Sequence, residues 1–202
     1  LVEVIESRSH DTANHVRRVA AYSVLRGEKY GLSREDLLLL EAASPMHDIG
    51  KIGIPDAILQ KPDRLSPEEY EIIKHHTVIG HHILQVSDRK LIASARTIAL
   101  QHHERWDGTG YPCGLRGEEI SIMARISTLA DVYDALSLGR VYKPAWPLET
   151  VLTFIRQQSG AMFDPQIVDL FFENLDALEA IKLRLSDPVA SARDDAPLLG
   201  PI

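Results

Sequence analysis

Ser66-Pro67-Glu68-Glu69-Tyr70-Glu71-Ile72-Ile73-Lys74-His75-His76 opens a helix at its first residue. A serine hydroxyl can accept from a backbone N–H that a helix start leaves unpaired. Proline suits the first helical position, and Glu69 can reach back to the cap. The pattern predicts one helix from Ser66 to about Leu84. Upstream, residues 1–29 read as a helix with Val16, Val19, Ala20 and Leu25 on one face and arginines elsewhere, ended by Gly31. Ser33, with Asp36 three residues on, starts the next helix, whose buried part is residues 37–43; Pro45 interrupts it. Downstream, helices are predicted over 89–103, over roughly 119–138, from Pro147, and from Asp164-Pro165 to about Leu183. The segment Trp106-Asp107-Gly108-Thr109-Gly110-Tyr111-Pro112 is too rich in glycine and proline to be anything but a loop. No stretch alternates with period two, and no Asn-Gly or Asp-Gly pair joins two strand-like runs, so the fold expected is all-α.

Composition narrows the function classes. A chain of 202 residues, 45% hydrophobic, can bury one sizeable core. We expect one domain over residues 1–185 and a disordered tail over 186–202. The net charge of −7 gives no field for a DNA or RNA polymer, although a metal site can reverse the potential inside one cleft. Cys113 is the only cysteine, which rules out an internal disulfide and a thiolate cluster and fits a reducing cytoplasm. No apolar stretch is long enough for a transmembrane helix, so no membrane partner is expected of this chain. The chain begins inside a helical pattern, as the C-terminal part of a longer protein would.

Nine histidines, all within residues 10–103, are the first functional clue. Asp11 and His15 stand four apart and share a helix face, either as a surface pair or as two ligands of one ion. His47-Asp48 follows an apolar helix, and Asp131 lies in the mostly apolar run Ile126–Ala135, where a buried carboxylate needs a cation. The alternative for Asp131 is a salt bridge to one of the arginines. His76 and His102-His103 complete a nitrogen and oxygen donor set without sulfur, suited to Fe, Mn, Zn or Ni. Seven such residues exceed the needs of one ion, and Asp48 is placed to bridge two. His10, His75, His81 and His82 are expected to be ordinary surface histidines. Lys51 can reach a phosphate held by such ions. Arg140 and Lys143, at the end of the Asp131 helix, face the same region or simply complement a helix C-terminus.

Three strings stand out, His47-Asp48-Ile49-Gly50-Lys51, His102-His103-Glu104-Arg105-Trp106-Asp107-Gly108-Thr109-Gly110-Tyr111-Pro112 and Asp131-Val132-Tyr133-Asp134-Ala135-Leu136, with Ile54-Pro55-Asp56, Lys61-Pro62 and Phe163-Asp164-Pro165. Together they resemble the HD-GYP family of cyclic di-GMP phosphodiesterases. The resemblance runs from about residue 6 to 175. It implies an HD-domain helical bundle with additional C-terminal helices, serving as the output domain of a response-regulator-like protein. It implies His15, His47, Asp48 and Asp131 as ligands of one divalent ion and His76, His102 and His103, with bridging Asp48, as ligands of a second. Members with three metals tend to have glutamate where Asp11 stands, a methylene longer, which leaves a third ion open. Lys51 matches a phosphate-contacting lysine, and Arg140 and Lys143 match nucleotide contacts.

The implied reaction is hydrolysis of cyclic di-GMP to linear pGpG, with GMP following if the linear product rebinds; Fe or Mn are the first candidates for the metal. The Gly110-Tyr111-Pro112 loop is implied to position the histidine pair, with an exposed Tyr111 offered to diguanylate cyclase (GGDEF) domains. Oligomeric state, a homodimer included, is not readable from the sequence. The rivals are another HD phosphohydrolase, disfavoured by the intact loop; a degenerate sensor, disfavoured by the complete ligand set; and a purely structural module, which leaves the histidine clustering unexplained.

Overall fold

The computed structural model describes residues 12–138 and 145–186. Among these residues there is no strand, and the elements are helices joined by short turns. They are α1 (Ala13–Tyr30), α2 (Arg34–Ala43), α3 (Asp56–Leu59), α4 (Pro67–Lys74), α5 (His76–Ile83), α6 (Lys90–Gln101), α7 (Ile122–Ser137), α8 (Leu148–Gln157), α9 (Pro165–Glu173) and α10 (Leu175–Arg184). Tight 3-10 turns occupy Ser44–Met46 and Ile49–Gly53.

Local chemistry sets the ends. Gly31 closes α1 at φ 93°, with its N–H on the Glu28 carbonyl; this left-handed cap is cheap only for glycine. Ser33 accepts from Asp36 N to start α2, and Ser66 with Glu69 forms the reciprocal capping box of α4. The helix expected over residues 66–84 is in fact two. The chain breaks at His75, and His76 Nδ1 takes the Ile73 carbonyl at 2.6 Å. The helix expected to run from Asp164-Pro165 to Leu183 breaks likewise at Asn174, whose amide binds the Leu170 carbonyl at 2.9 Å.

Packing places α1 and α7 side by side at the centre. α2 and α6 flank them, the Ile49–Gly53 turn lies on α5, and α9 and α10 lie on α1. Val19, Leu40, Ile98, Leu129, Tyr133 and Phe171 are among the residues that fill the interior. Each aliphatic side chain buried there contributes roughly 1.5–3 kcal/mol. The arginines of α1 do not all face water as expected: Arg18 and Arg26 are both buried. Arg18 is hydrogen-bonded, as described below. The guanidinium of Arg26 has no hydrogen-bond partner among the described residues and sits over the Tyr22 and Phe171 rings at 5.9 and 5.0 Å. Burying a charge with only aromatic faces for partners is costly. Arg26→Met is therefore expected to raise the melting temperature, by about 2–4 °C for each kcal/mol gained. A lower melting temperature in calorimetry would show that the aromatic contacts outweigh the desolvation. Among the described residues no helix is long and apolar enough to cross a membrane.

Candidate metal centre

Five segments converge on one spot. His15 lies in the first turn of α1, below the Thr12 cap. His47 and Asp48 sit where Pro45 has broken the helix into 3-10 turns. His76 begins α5, His102 and His103 follow α6, and Asp131 lies within α7. The ligating atoms of Asp48, His76, His102 and His103 lie within 4.8 Å of one another, and so do those of His15, His47 and Asp131.

The second hydrogen bond of each ring shows what these histidines are prepared for. His47 Nδ1 faces the Ser44 carbonyl at 2.9 Å, His76 Nδ1 faces Ile73 at 2.6 Å, and His102 Nδ1 faces Ile98 and Ala99 at 3.2 and 3.1 Å. A carbonyl can only accept, so each Nδ1 carries a proton and each ring turns its Nε2 to the centre. His76 Nε2 and His102 Nε2 are 3.2 Å apart, and Asp48 Oδ1 lies 3.2 and 3.5 Å from them. Lone pairs and a carboxylate oxygen at such distances repel unless a cation lies among them. Asp48 Oδ1 is also buried with no hydrogen-bond partner among the described residues. The donor set thus fits a divalent metal.

Asp48 joins the two groups. Its Oδ1 faces His76 and His102, while its Oδ2 lies 3.2 Å from His47 Nε2. Asp131 Oδ1 stands 3.6 Å from His15 Nε2 and 3.9 Å from His47 Nε2. Lys51 Nζ lies 2.5 Å from Asp48 Oδ2, carried there by the Ile49–Gly53 turn rather than by a regular helix. Burial pushes the Asp48 carboxyl up, but Lys51 and His47 beside it outweigh burial and hold it well below its usual range. Burial pushes His102 down, and His103 further, helped by its histidine neighbours. Both are neutral near pH 7, the form that binds metal.

The centre opens into a cleft of about 340 Å³ lined by Asp48, Lys51, His76, His103, Tyr111 and Asp131, with Leu59, Ile73 and Ala135 as its apolar wall. The glycine-rich loop closes one side. Gly110 has to be glycine because a Cβ there would lie 2.3 Å from Arg105 N and 2.5 Å from Glu104 Cα. That close approach lets Tyr111 N–H reach the His103 carbonyl at 3.2 Å. Tyr111 is not the exposed anchor expected from the sequence. Its ring stacks on His103 (4.8 Å, 25°) and meets Tyr70 edge-on, with the Lys74 ammonium 5.6 Å from both rings.

Sequence reasoning passed over the residue that holds this loop. Glu104, fully enclosed, accepts from Cys113 N at 2.7 Å and Leu115 N at 3.0 Å. Glu104→Ala strands two backbone donors, at about 1–3 kcal/mol each. Hydrogen exchange is expected to speed up at the Cys113 and Leu115 amides while α6 keeps its protection. Unchanged exchange at both amides would refute this role.

His75 and His82 are exposed and His81 is half-buried, and none of the three joins the clusters. Asp11, His10, Arg140 and Lys143 lie outside the described residues, as does the expected tail from 187 onward.

With this geometry in place, comparison with known proteins is informative. A family model described as the HD domain matches residues 1–167. The chain belongs to the HD domain family. Curated relatives of this HD domain include a "3'3'-cGAMP-specific phosphodiesterase 2" of Vibrio cholerae, 42% identical over 93% of this chain and 36% of its own length. A cyclic di-GMP phosphodiesterase response regulator of Xanthomonas campestris pv. campestris is 42% identical over 96% and 50%, respectively. A cyclic di-GMP phosphodiesterase of Thermotoga maritima is 45% identical over 83% and 46%. The HD domain chain thus spans a third to a half of the length of these relatives. Among solved structures, a cyclic GMP-AMP specific phosphodiesterase of V. cholerae superposes with a TM-score of 0.62 at 20% identity, over 93% of this chain and 51% of that one. A protein of Bdellovibrio bacteriovorus described as HDG"Y"P gives 0.63 at 24% identity, over 80% and 51%. These likenesses support the all-α HD architecture.

Proposed function

We propose that this HD domain is a metal-dependent phosphodiesterase that hydrolyses cyclic di-GMP to linear pGpG. The observation that carries the reading is Asp48, a buried carboxylate that turns one oxygen to each of two histidine clusters. His15, His47 and Asp131 with Asp48 would hold one ion, and His76, His102 and His103 with Asp48 the other. The nitrogen and oxygen donors suit Fe, Mn, Ni or Zn, and the resemblance to the HD-GYP family puts Fe or Mn first. Such ions, when bound, supply an activated water and polarise a phosphodiester.

The chain's own residues do the rest. The Lys51 ammonium, at the cleft floor, is placed to bind a non-bridging phosphate oxygen. Tyr111, Leu59 and Ile73 wall the cleft and exclude water from one side of the substrate. Arg140 and Lys143 would contact the nucleotide, while Asp11, a methylene shorter than glutamate, leaves a third ion open. We extend the reading to a domain over residues 1–185 that serves as the output of a response-regulator-like protein in the cytoplasm, and to contact with diguanylate cyclases through the loop.

The test is product chromatography. Protein purified without oxygen and supplied with Fe(II) or Mn(II) is given cyclic di-GMP and, separately, 3'3'-cGAMP, the substrate named for one relative. Formation of pGpG supports the proposal. Cleavage of 3'3'-cGAMP alone moves the specificity, and no product from either, with two ions bound per chain, overturns the enzymatic reading.

A further inference from the structure

His15 is oriented differently from His47, His76 and His102. The Nδ1 protons of His47, His76 and His102 go to main-chain carbonyls three or four residues back on the same segment. Those rings are set by local backbone. His15 Nδ1 instead donates to Asp134 Oδ2 at 2.8 Å, a carboxylate on α7. Asp134 is buried and held from the other side by Arg18, through Nε to Oδ1 at 2.7 Å and Nη2 to Oδ2 at 3.0 Å. Arg18 Nη1 continues to the Leu185 carbonyl at 2.8 Å, at the C-terminal end of α10, and Asn14 Nδ2 takes the Ser186 carbonyl beside it at 3.2 Å. Carbonyls at a helix end lack partners within the helix and favour a cation.

We propose that Asp134 and Arg18 are positioning residues that tie ion occupancy at the His15 position to the seating of the C-terminal helix α10. The side-chain relay from His15 through Asp134 and Arg18 to Leu185 makes one half of the centre sensitive to how the chain end packs. The other half is fixed by its own turns. A segment that pulls on α10 would therefore empty one ion position and spare the other.

The proposal rests on the reading of the two clusters as metal sites, and the experiment separates the two. Metal-free protein is titrated with Mn(II) while free Mn(II) is followed by electron paramagnetic resonance. Intact protein that takes up fewer than two ions fails the metal reading itself. Given two ions, Asp134→Asn, which keeps the shape but not the charge, is expected to weaken one of them by roughly 10–100-fold and leave the other unchanged. Arg18→Lys keeps a cation near Asp134 but cannot span to Leu185 as well, and is expected to weaken the same ion by a smaller factor. Unchanged affinities in Asp134→Asn, or equal loss of both ions, overturn the relay. An Arg18→Lys protein that binds both ions like the intact chain removes α10 from it.

Discussion

Asp48→Ala is expected to lose both ions together and to lower the proposed cyclic dinucleotide hydrolysis by at least about a thousandfold, beyond the ~10–100-fold that an outer partner of a metal ligand is worth. The reason is geometric. Among the described residues no other side chain faces both clusters with separate oxygens at 3.2 Å, so its removal takes a ligand from each at once. His15→Ala should differ in kind, costing the ion at the His15, His47 and Asp131 position while His76, His102, His103 and Asp48 keep theirs. Elemental analysis of the two variants after dialysis checks this. Equal metal content in both would contradict a shared carboxylate.

Gly50→Ala is the second large effect. A Cβ at Gly50 would lie 1.9 Å from the His76 carbonyl and 2.4 Å from Gly80 N. The clash is with backbone, which cannot swing aside, so the Ile49–Gly53 turn and α5 have to separate. His47, Asp48 and Lys51 precede or ride on that turn and His76 begins α5, so the centre comes apart with the packing. A cost above about 3 kcal/mol is expected, or a fall of roughly 10 °C in melting temperature, with metal uptake lost. Gly31→Ala is the contrast. Nothing lies near its Cβ, and only the φ of 93° penalises it, at about 1–2 kcal/mol. Metal binding should survive there. Calorimetry with and without Mn(II) distinguishes the pair, and a Gly50→Ala protein that binds metal normally would contradict the packing argument.

What the sequence made legible follows the range of the interactions. Caps at Gly31, Ser33 and Ser66 act over three or four residues, and the structure has them where the residues predict. His47-Asp48 and Asp131 stood out because a carboxylate in an apolar run needs a cation, the histidines stood out by their clustering, and the ligand sets followed from the family resemblance. The break at His75 was not legible. Helical periodicity continues through it, and its cause is that His76 must reach into the cluster while binding Ile73. Asp134, Arg18 and Glu104 were missed for a related reason. An arginine on a helix normally reads as solvated, and Arg18 reveals itself only through Asp134, 116 positions away. Glu104 sits in a loop string where glycine and tyrosine draw the eye, and its two backbone partners are invisible without coordinates. Tyr111 reads as exposed from its loop, whereas the stack on His103 needs the fold to form.

The proposed centre holds two ions side by side across Asp48. Crystals of the Mn(II)-loaded protein, measured at the manganese absorption edge, test it directly. Two anomalous peaks are expected about 3.5–4 Å apart, one among His15, His47 and Asp131 and one among His76, His102 and His103, with an Asp48 oxygen beside each. A single peak, or two peaks that do not share Asp48, would contradict it.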